Sequence, residues 1–550
     1  MSCASYLCFF YFLFYRSERK KKQNARKRKI CPKFLSPTSL TTVLRHRTLQ
    51  KKATYVSFID AEKAFDRVDR NLLFYKLLKY GVNGKFYENL TSMYSGCLSA
   101  VNINGRLTDW FDIGYGVRQG DTLLPTLFNI FANDLVDDVN SLGLGVPLGT
   151  EKLSILLYAD DVVLLADSEQ DLQVILNKVS EWGRKWRIKF NSSKSKVVHY
   201  RPKKLPKTSQ NFLLNGEMIE IVPKYKYLGI VLDQHLDYNV TAETLAGAGS
   251  RALGAILAKH KHLNGLGYNT FTTLYHACVS TVLDYASGIW GAKVFEKLDH
   301  VQNRAIRAFL GVHNFAPNLA IQGDMGWTHS SVRRKVNMIR TWNNLVNMNS
   351  NRLTKKVFQW DINQPTKAWA AEVKEIMTEL NMSSCFHDAL PCPIERVWAL
   401  LHEAKCCEWK NALADFPKLR TYVTFKDNFC IEPYVSINMN RKYRSVLAQL
   451  RLGILPLEIE TGRWKGLEIE QRTCKLCNDN SVEDEAHFLF NCPFYENERN
   501  QYFIHDIEVQ DFQSLTTESK FNVIMKKFNI LNTVKFIWNI YDKRKQKLFG

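Results

Sequence analysis

Leu153-Ser-Ile-Leu-Leu-Tyr158-Ala159-Asp160-Asp161-Val162-Val-Leu-Leu-Ala166 sets two adjacent carboxylates at the tip of a hydrophobic hairpin. The flanking runs are short, apolar and rich in branched residues, which predicts strands rather than helices. Neighbouring carboxylates repel one another and are costly to desolvate. A bound divalent cation that offsets both charges is the simplest account of the pair.

Upstream, Tyr55-Val-Ser-Phe-Ile-Asp60 alternates as a half-buried strand and ends in an aspartate ahead of Ala61-Glu-Lys-Ala-Phe65-Asp66. If this strand lies beside the 153–166 hairpin, Asp60 and Asp160 can share two magnesium ions. That arrangement serves in-line phosphoryl transfer and is the palm chemistry of polymerases. Asp66, just before a helical pattern, is expected to cap that helix rather than to hold metal.

Five stretches in order resemble the non-LTR retrotransposon (LINE-type) reverse transcriptases. They are Phe58-Ile-Asp60-Ala-Glu-Lys-Ala-Phe65-Asp66-Arg-Val68 (motif A), Gly116-Val-Arg118-Gln119-Gly120-Asp-Thr-Leu-Leu-Pro125-Thr-Leu-Phe128 (B) and Tyr158-Ala-Asp-Asp161 (C), followed by Asn191-Ser-Ser-Lys194-Ser195 (D) and Tyr225-Lys-Tyr227-Leu228-Gly229-Ile230 (E, the primer grip). The resemblance implies an RNA-directed DNA polymerase with RNA template, DNA primer and deoxynucleoside triphosphates as partners. Asp60 and Asp160 would carry two magnesium ions, with Asp161 a secondary ligand and Lys194 a proton donor to pyrophosphate. Phe65, Arg118, Gln119, Gly120, Tyr158 and Ala159 would contact substrate; Tyr227, Leu228 and Gly229 would hold the primer. Phe65 reads equally well as strand-to-helix packing, and Lys194 as a surface lysine.

The chain departs from the family in two respects. Leu124 stands where the family has serine, and the segment before Asp60 lacks the fingers motif and the basic residues that clasp the triphosphate. No endonuclease segment precedes the palm, so a truncated polymerase core is expected, with an endonuclease supplied separately. The alternative is a catalytically inactive, retroelement-derived nucleic-acid-binding protein.

The chain has 550 residues, room for several domains, and Lys plus Arg exceed Asp plus Glu by 75 to 54, a formal charge of +21 that favours a polyanionic partner. Part of it lies in Arg16–Lys29, which fits a nuclear localisation patch, a nucleic-acid-binding arm or a solvated tail. The apolar run Tyr6–Tyr15 falls short of the ~20 residues of a spanning helix, so no membrane partner is expected. The 13 cysteines are scattered, odd in number and unlike a secreted disulfide framework. A nuclear location with cytoplasmic passage is expected.

The expected fold class is α+β: a palm with an antiparallel sheet and packed helices, a helical thumb and a small C-terminal zinc knuckle. Its divisions are a basic, unordered segment over 1–45, palm with partial fingers over 46–238, thumb and connection over 239–350, a helical region over 351–465, the knuckle over 466–500 and a helical tail over 501–550. Asn104-Gly105 predicts a tight hairpin turn between motifs A and B. Cys474-Lys-Leu-Cys477 and His487-Phe-Leu-Phe-Asn-Cys492, nine residues apart, can close a tetrahedron around a structural zinc ion. Arg472, Lys475 and nearby aromatics are expected to contact nucleic acid there.

Overall fold

The computed structural model describes residues 35–118, 120–365, 367–506, 512–527 and 530–550. The basic run 16–29, the apolar run 6–15 and Gln119 lie outside them.

At the centre is a six-stranded sheet. Its strands are β1 (Thr54–Ala61), β2 (Ile155–Tyr158), β3 (Asp161–Ala166), β4 (Phe190–Tyr200), β5 (Phe212–Leu214) and β6 (Glu217–Ile221), in the order β5-β6-β4-β1-β3-β2. All neighbours run antiparallel except β4 and β6. Because successive side chains of a strand point to opposite faces, the apolar residues of β1 and β3 divide between two cores. Ile59, Val162 and Leu164 face one core; Val56, Phe58, Val163 and Leu165 face the other. The sheet is therefore covered on both sides, which is why β3 reads as an unbroken apolar run.

Helices α2 (Arg70–Lys79), α4 (Leu124–Asn140) and α5 (Glu169–Trp186) cover the first face; α3 (Gly84–Tyr94) packs outside α2. Ser168 caps α5 by accepting from the Asp171 N–H, and Leu172, Ile175, Leu176, Val179, Trp182 and Trp186 form one buried stripe as the periodicity predicts. Lys76 of α2 is enclosed by Phe131, Trp182 and Trp186 and pairs with Asp134 at 2.6 Å, tying three helices together. The cap of α2 is Asp69, which accepts from the N–H groups of Asn71 and Leu72, and not Asp66.

The second face meets α1 (Leu35–Leu49), the hairpin β7 (Lys224–Tyr227) and β8 (Ile230–Asp233), and α6 (Tyr238–His262). Leu40, Val43 and Leu44 of α1 are fully buried, so the segment expected to be unordered to residue 45 is helical from residue 35. Helices continue to the C-terminus, among them Glu296–Leu310, Ser330–Val346, Ile394–Ala414, Arg441–Arg451 and Ile530–Phe549. None in the described residues is long and apolar enough to cross a membrane.

Candidate functional site

The site is built by register. In β1 and β3, Asp60 lies directly opposite Asp161, and Tyr158 of β2 opposite Asp161 in turn. By alternation Asp60 and Asp161 share the face of Phe58 and Val163. Asp160 stands exposed in the two-residue turn between β2 and β3, where Ala159 takes a φ of +55°. A non-glycine residue in the left-handed region is uncommon and strained, and such residues concentrate at functional sites. Of the two motif C carboxylates it is thus Asp161, assigned a secondary place by the sequence, that is Asp60's cross-strand partner. The three carboxylates occupy one end of the sheet, Asp60 and Asp161 paired across the ladder and Asp160 in the adjoining turn.

A second feature at this end was invisible in the sequence. The β1–β4 ladder pairs Phe58 with Lys196 but Asp60 with Asn191, so residues 192–195 bulge out of β4. Ser195, fully buried, closes the bulge: its hydroxyl accepts from the Asp60 N–H at 3.1 Å and donates to the Asn191 carbonyl at 2.7 Å. Bulges re-aim side chains beside functional sites. This one carries Lys194, exposed, beside the strand end that holds Asp60.

Motif B is stitched to motif A by backbone. Val117 donates to Phe65 O at 2.9 Å and Gly116 to Val68 O at 2.8 Å. Gly116 has φ +84°, and a Cβ there would meet Asp66 O at 2.8 Å, so only glycine allows this approach. Phe65 packs on Phe128 of α4, ring centres 4.7 Å apart. Arg118 is exposed and donates to Cys97 Sγ at 2.9 Å, and Gly120 is exposed with φ +91°. Leu124, the departure from the family pattern, opens α4 and is half-buried against the first core.

The turn of the β7–β8 hairpin, Leu228-Gly229, has positive φ at both residues, +44° and +88°, the signature of a tight two-residue hairpin. Tyr227 is buried. Its neighbour Tyr225 stacks on Phe58, 4.2 Å between ring centres. Burial raises the Tyr225 phenol above its ordinary value, and the fields of Asp161 and Asp60 raise it further, which sets the hairpin over the acidic end of the sheet. The helical region grips this hairpin from behind. Tyr285 donates its hydroxyl proton to Leu228 O at 2.9 Å, and a Cβ on Gly229 would strike the Tyr285 ring at 2.8 Å. Gly229→Ala is therefore expected to destabilise the hairpin by ~1–3 kcal/mol, from left-handed strain and the clash together. Tyr285→Ala should relieve the clash, so the double variant should lose less than the sum of the singles in hydrogen exchange of β7 and β8. Strict additivity would show that the two do not couple.

Far along the chain, Cys474, Cys477, His487 and Cys492 present ligand atoms within 4.8 Å of one another. Cys474 and Cys492 sulfurs lie 3.9 Å apart, and Cys477 Sγ is 3.4 Å from His487 Nε2. The contact with Cys492, with that of His487 added, draws the Cys474 thiol below its ordinary value, toward the thiolate a metal needs, while the same contact raises Cys492. Three sulfurs and one imidazole suit a soft, tetrahedral ion. Arg472 and Lys475, which the sequence offers to nucleic acid, both have partners within the protein. The Arg472 guanidinium donates to the carbonyls of Leu467 and Ile459, while Lys475 pairs with Glu458 at 2.7 Å.

Residues 20–232 match the family described as reverse transcriptase (RNA-dependent DNA polymerase). The chain is 29% identical over 200 residues to the Pol polyprotein of the type-2 retrotransposable element R2DM of Drosophila melanogaster, covering 35% of this chain and 19% of that one. It is 26% identical over 277 residues to the RNA-directed DNA polymerase from the mobile element jockey of Drosophila funebris, covering 49% and 30%. The chain thus spans about a fifth to a third of the length of these curated relatives. Among solved structures, apo telomerase from Candida tropicalis, truncated from its C-terminal domain, aligns with a TM-score of 0.30 at 17% identity, covering 42% of this chain and 44% of that one. The chain carries a reverse transcriptase domain whose relatives are LINE-type retrotransposon polymerases.

Proposed function

We propose that this chain is the polymerase core of a LINE-type retroelement, copying RNA into DNA by two-metal nucleotidyl transfer. The observation that carries the reading is the direct opposition of Asp60 and Asp161 beside the turn that bears Asp160. In this reading residues 46–238 are the palm, 239–350 the thumb, and template RNA, DNA primer and deoxynucleotides meet at the acidic end of the sheet, in the nucleus.

Aspartates at a partly exposed sheet end offer the hard oxygen donors that magnesium prefers. Asp60, Asp160 and Asp161 would hold it, and the bound ions would activate the primer hydroxyl and neutralise triphosphate charge. The chain's own residues position the reactants. The Tyr158–Ala159 turn lies beneath the primer end, the Tyr227–Gly229 turn braces it, and Phe65, held by Phe128, faces the sugar and disfavours a 2′-hydroxyl. Lys194 supplies a proton to pyrophosphate from the bulge. The test is primer extension on an RNA template with magnesium and deoxynucleotides. Absence of incorporation together with salt-sensitive binding would instead identify a nucleic-acid-binding protein without catalysis.

The cysteine cluster is read as a structural zinc site, its four protein ligands leaving no position for substrate. Phe488, Leu489 and Tyr495 beside it belong to the main core. Purified protein is expected to carry one zinc per chain by elemental analysis, and Cys474→Ser/Cys477→Ser to lose it with weakened packing of the C-terminal helices. Unchanged metal content in that variant would reject the site.

A further inference from the structure

Helix Arg441–Arg451 packs against helix Ile530–Phe549, and where they meet Tyr443 and Trp538 stand edge to face with ring centres 6.1 Å apart. Both rings are only half-buried. Lys442 Nζ lies 5.0 Å from the centre of the Tyr443 ring and 4.8 Å from that of Trp538. Lys545 Nζ lies 5.7 Å from Trp538 and 4.3 Å from Tyr541.

Both lysines are exposed, and no ion pair joins either to a carboxylate among the described residues. The first helix contains no acidic residue, and the second only Asp542, which accepts from Gln546 at 3.0 Å. The end of α6 adds exposed Lys259, Lys261 and His262. Just beyond it, a Cβ on Gly265 would lie 3.9 Å from that of Arg441. Burial lowers buried His260 to about 4, and the nearby Arg441 and Arg444 deepen the effect, so the positive field reaches into this end of α6.

We propose that this junction is a second nucleic-acid site, taking a single strand whose base stacks on Trp538 while its phosphates engage Lys442, Lys545 and Arg441. The pattern is that of single-strand binding in general, where cations track the backbone and an aromatic face accepts any base. A duplex hides its base faces and would use the cations alone. The site requires none of the sheet aspartates, so it stands or falls separately from the polymerase reading.

The full chain, without added magnesium or nucleotides, is titrated against a fluorescein-labelled oligouridylate at several salt concentrations. Lys442→Gln/Lys545→Gln is expected to flatten the slope of log Kd against log salt by roughly 1.4, about 0.7 for each lost phosphate contact. Lys203→Gln/Lys204→Gln removes the same charge from an exposed loop and should change the slope by less than half as much. Trp538→Ala should weaken binding roughly 5- to 100-fold, and Trp538→Phe, which keeps a ring, by no more than about 2-fold. Equal slopes for the two lysine pairs, or wild-type affinity in Trp538→Ala, would overturn the site whatever primer extension shows.

Discussion

Replacing Asp60, Asp160 or Asp161 with alanine is expected to lower RNA-templated deoxynucleotide incorporation at least ~1,000-fold, a loss of about 4 kcal/mol of transition-state stabilisation. The expectation rests on where the charges sit. Asp60 and Asp161 are cross-strand neighbours on one face, and like charges directly opposed across a ladder destabilise it. Cations bound at this end of the sheet would relieve that repulsion. Asp60→Asn, which keeps the shape and removes one charge, should therefore leave the melting temperature in metal-free buffer unchanged or slightly raised. Magnesium should raise the melting temperature of the wild type and not that of the variant. Loss of incorporation with an intact fold assigns the carboxylates to chemistry. Undiminished incorporation in all three folded alanine variants would remove the sheet end from the reaction.

The sequence disclosed what alternation and turn chemistry control. Strands carrying Asp60 and Asp161 followed from apolar periodicity, and Asn104-Gly105 makes the expected turn with positive φ at both residues, +52° and +86°. Local rules failed where a distant residue decides. Nothing in Asn191-Ser-Ser-Lys194-Ser195 announces a bulge, because it exists only once Ser195 closes on the Asp60 N–H. The cap of α2 fell on Asp69, which directly precedes the helix, and Arg187, just beyond the end of α5, pairs with its second oxygen at 2.9 Å. Arg472 looked like a free cation, yet Gly462 leaves room for its side chain, which turns inward to cap carbonyls. The grip of Tyr285 on Leu228 spans 57 residues and lies in no motif of consecutive residues. Tyr225 was legible only as part of the motif, since its stacking on Phe58 depends on how the hairpin folds onto the sheet.

Removal of Arg451 should have the largest effect on stability, and its cause lies wholly in the C-terminal helices. Asp324 is fully buried. Its carboxylate accepts from Arg451 Nε at 3.0 Å and Nη2 at 3.2 Å, and from the hydroxyls of Tyr434 at 2.7 Å and Tyr422 at 3.0 Å. Arg451 reaches on to Glu432 at 2.8 Å, and Glu432 pairs with buried Lys426. Two anions and two cations thus balance in a largely buried network. Burial raises both tyrosines well above their ordinary values, and Asp324 adds to it. Arg451→Met leaves one net negative charge in this interior and should cost ~3–5 kcal/mol, whereas Asp324→Leu/Arg451→Met, which removes a charge of each sign, should cost less than Arg451→Met alone. Hydrogen exchange across 433–451 reads the effect locally, independently of the sheet domain. Should the double variant open more readily than Arg451→Met, the balance of charge would not be what holds these helices together, and the contacts of the Arg451 guanidinium with the rings of Phe425 and Tyr434, 4.6 and 5.2 Å away, would have to carry the stability instead.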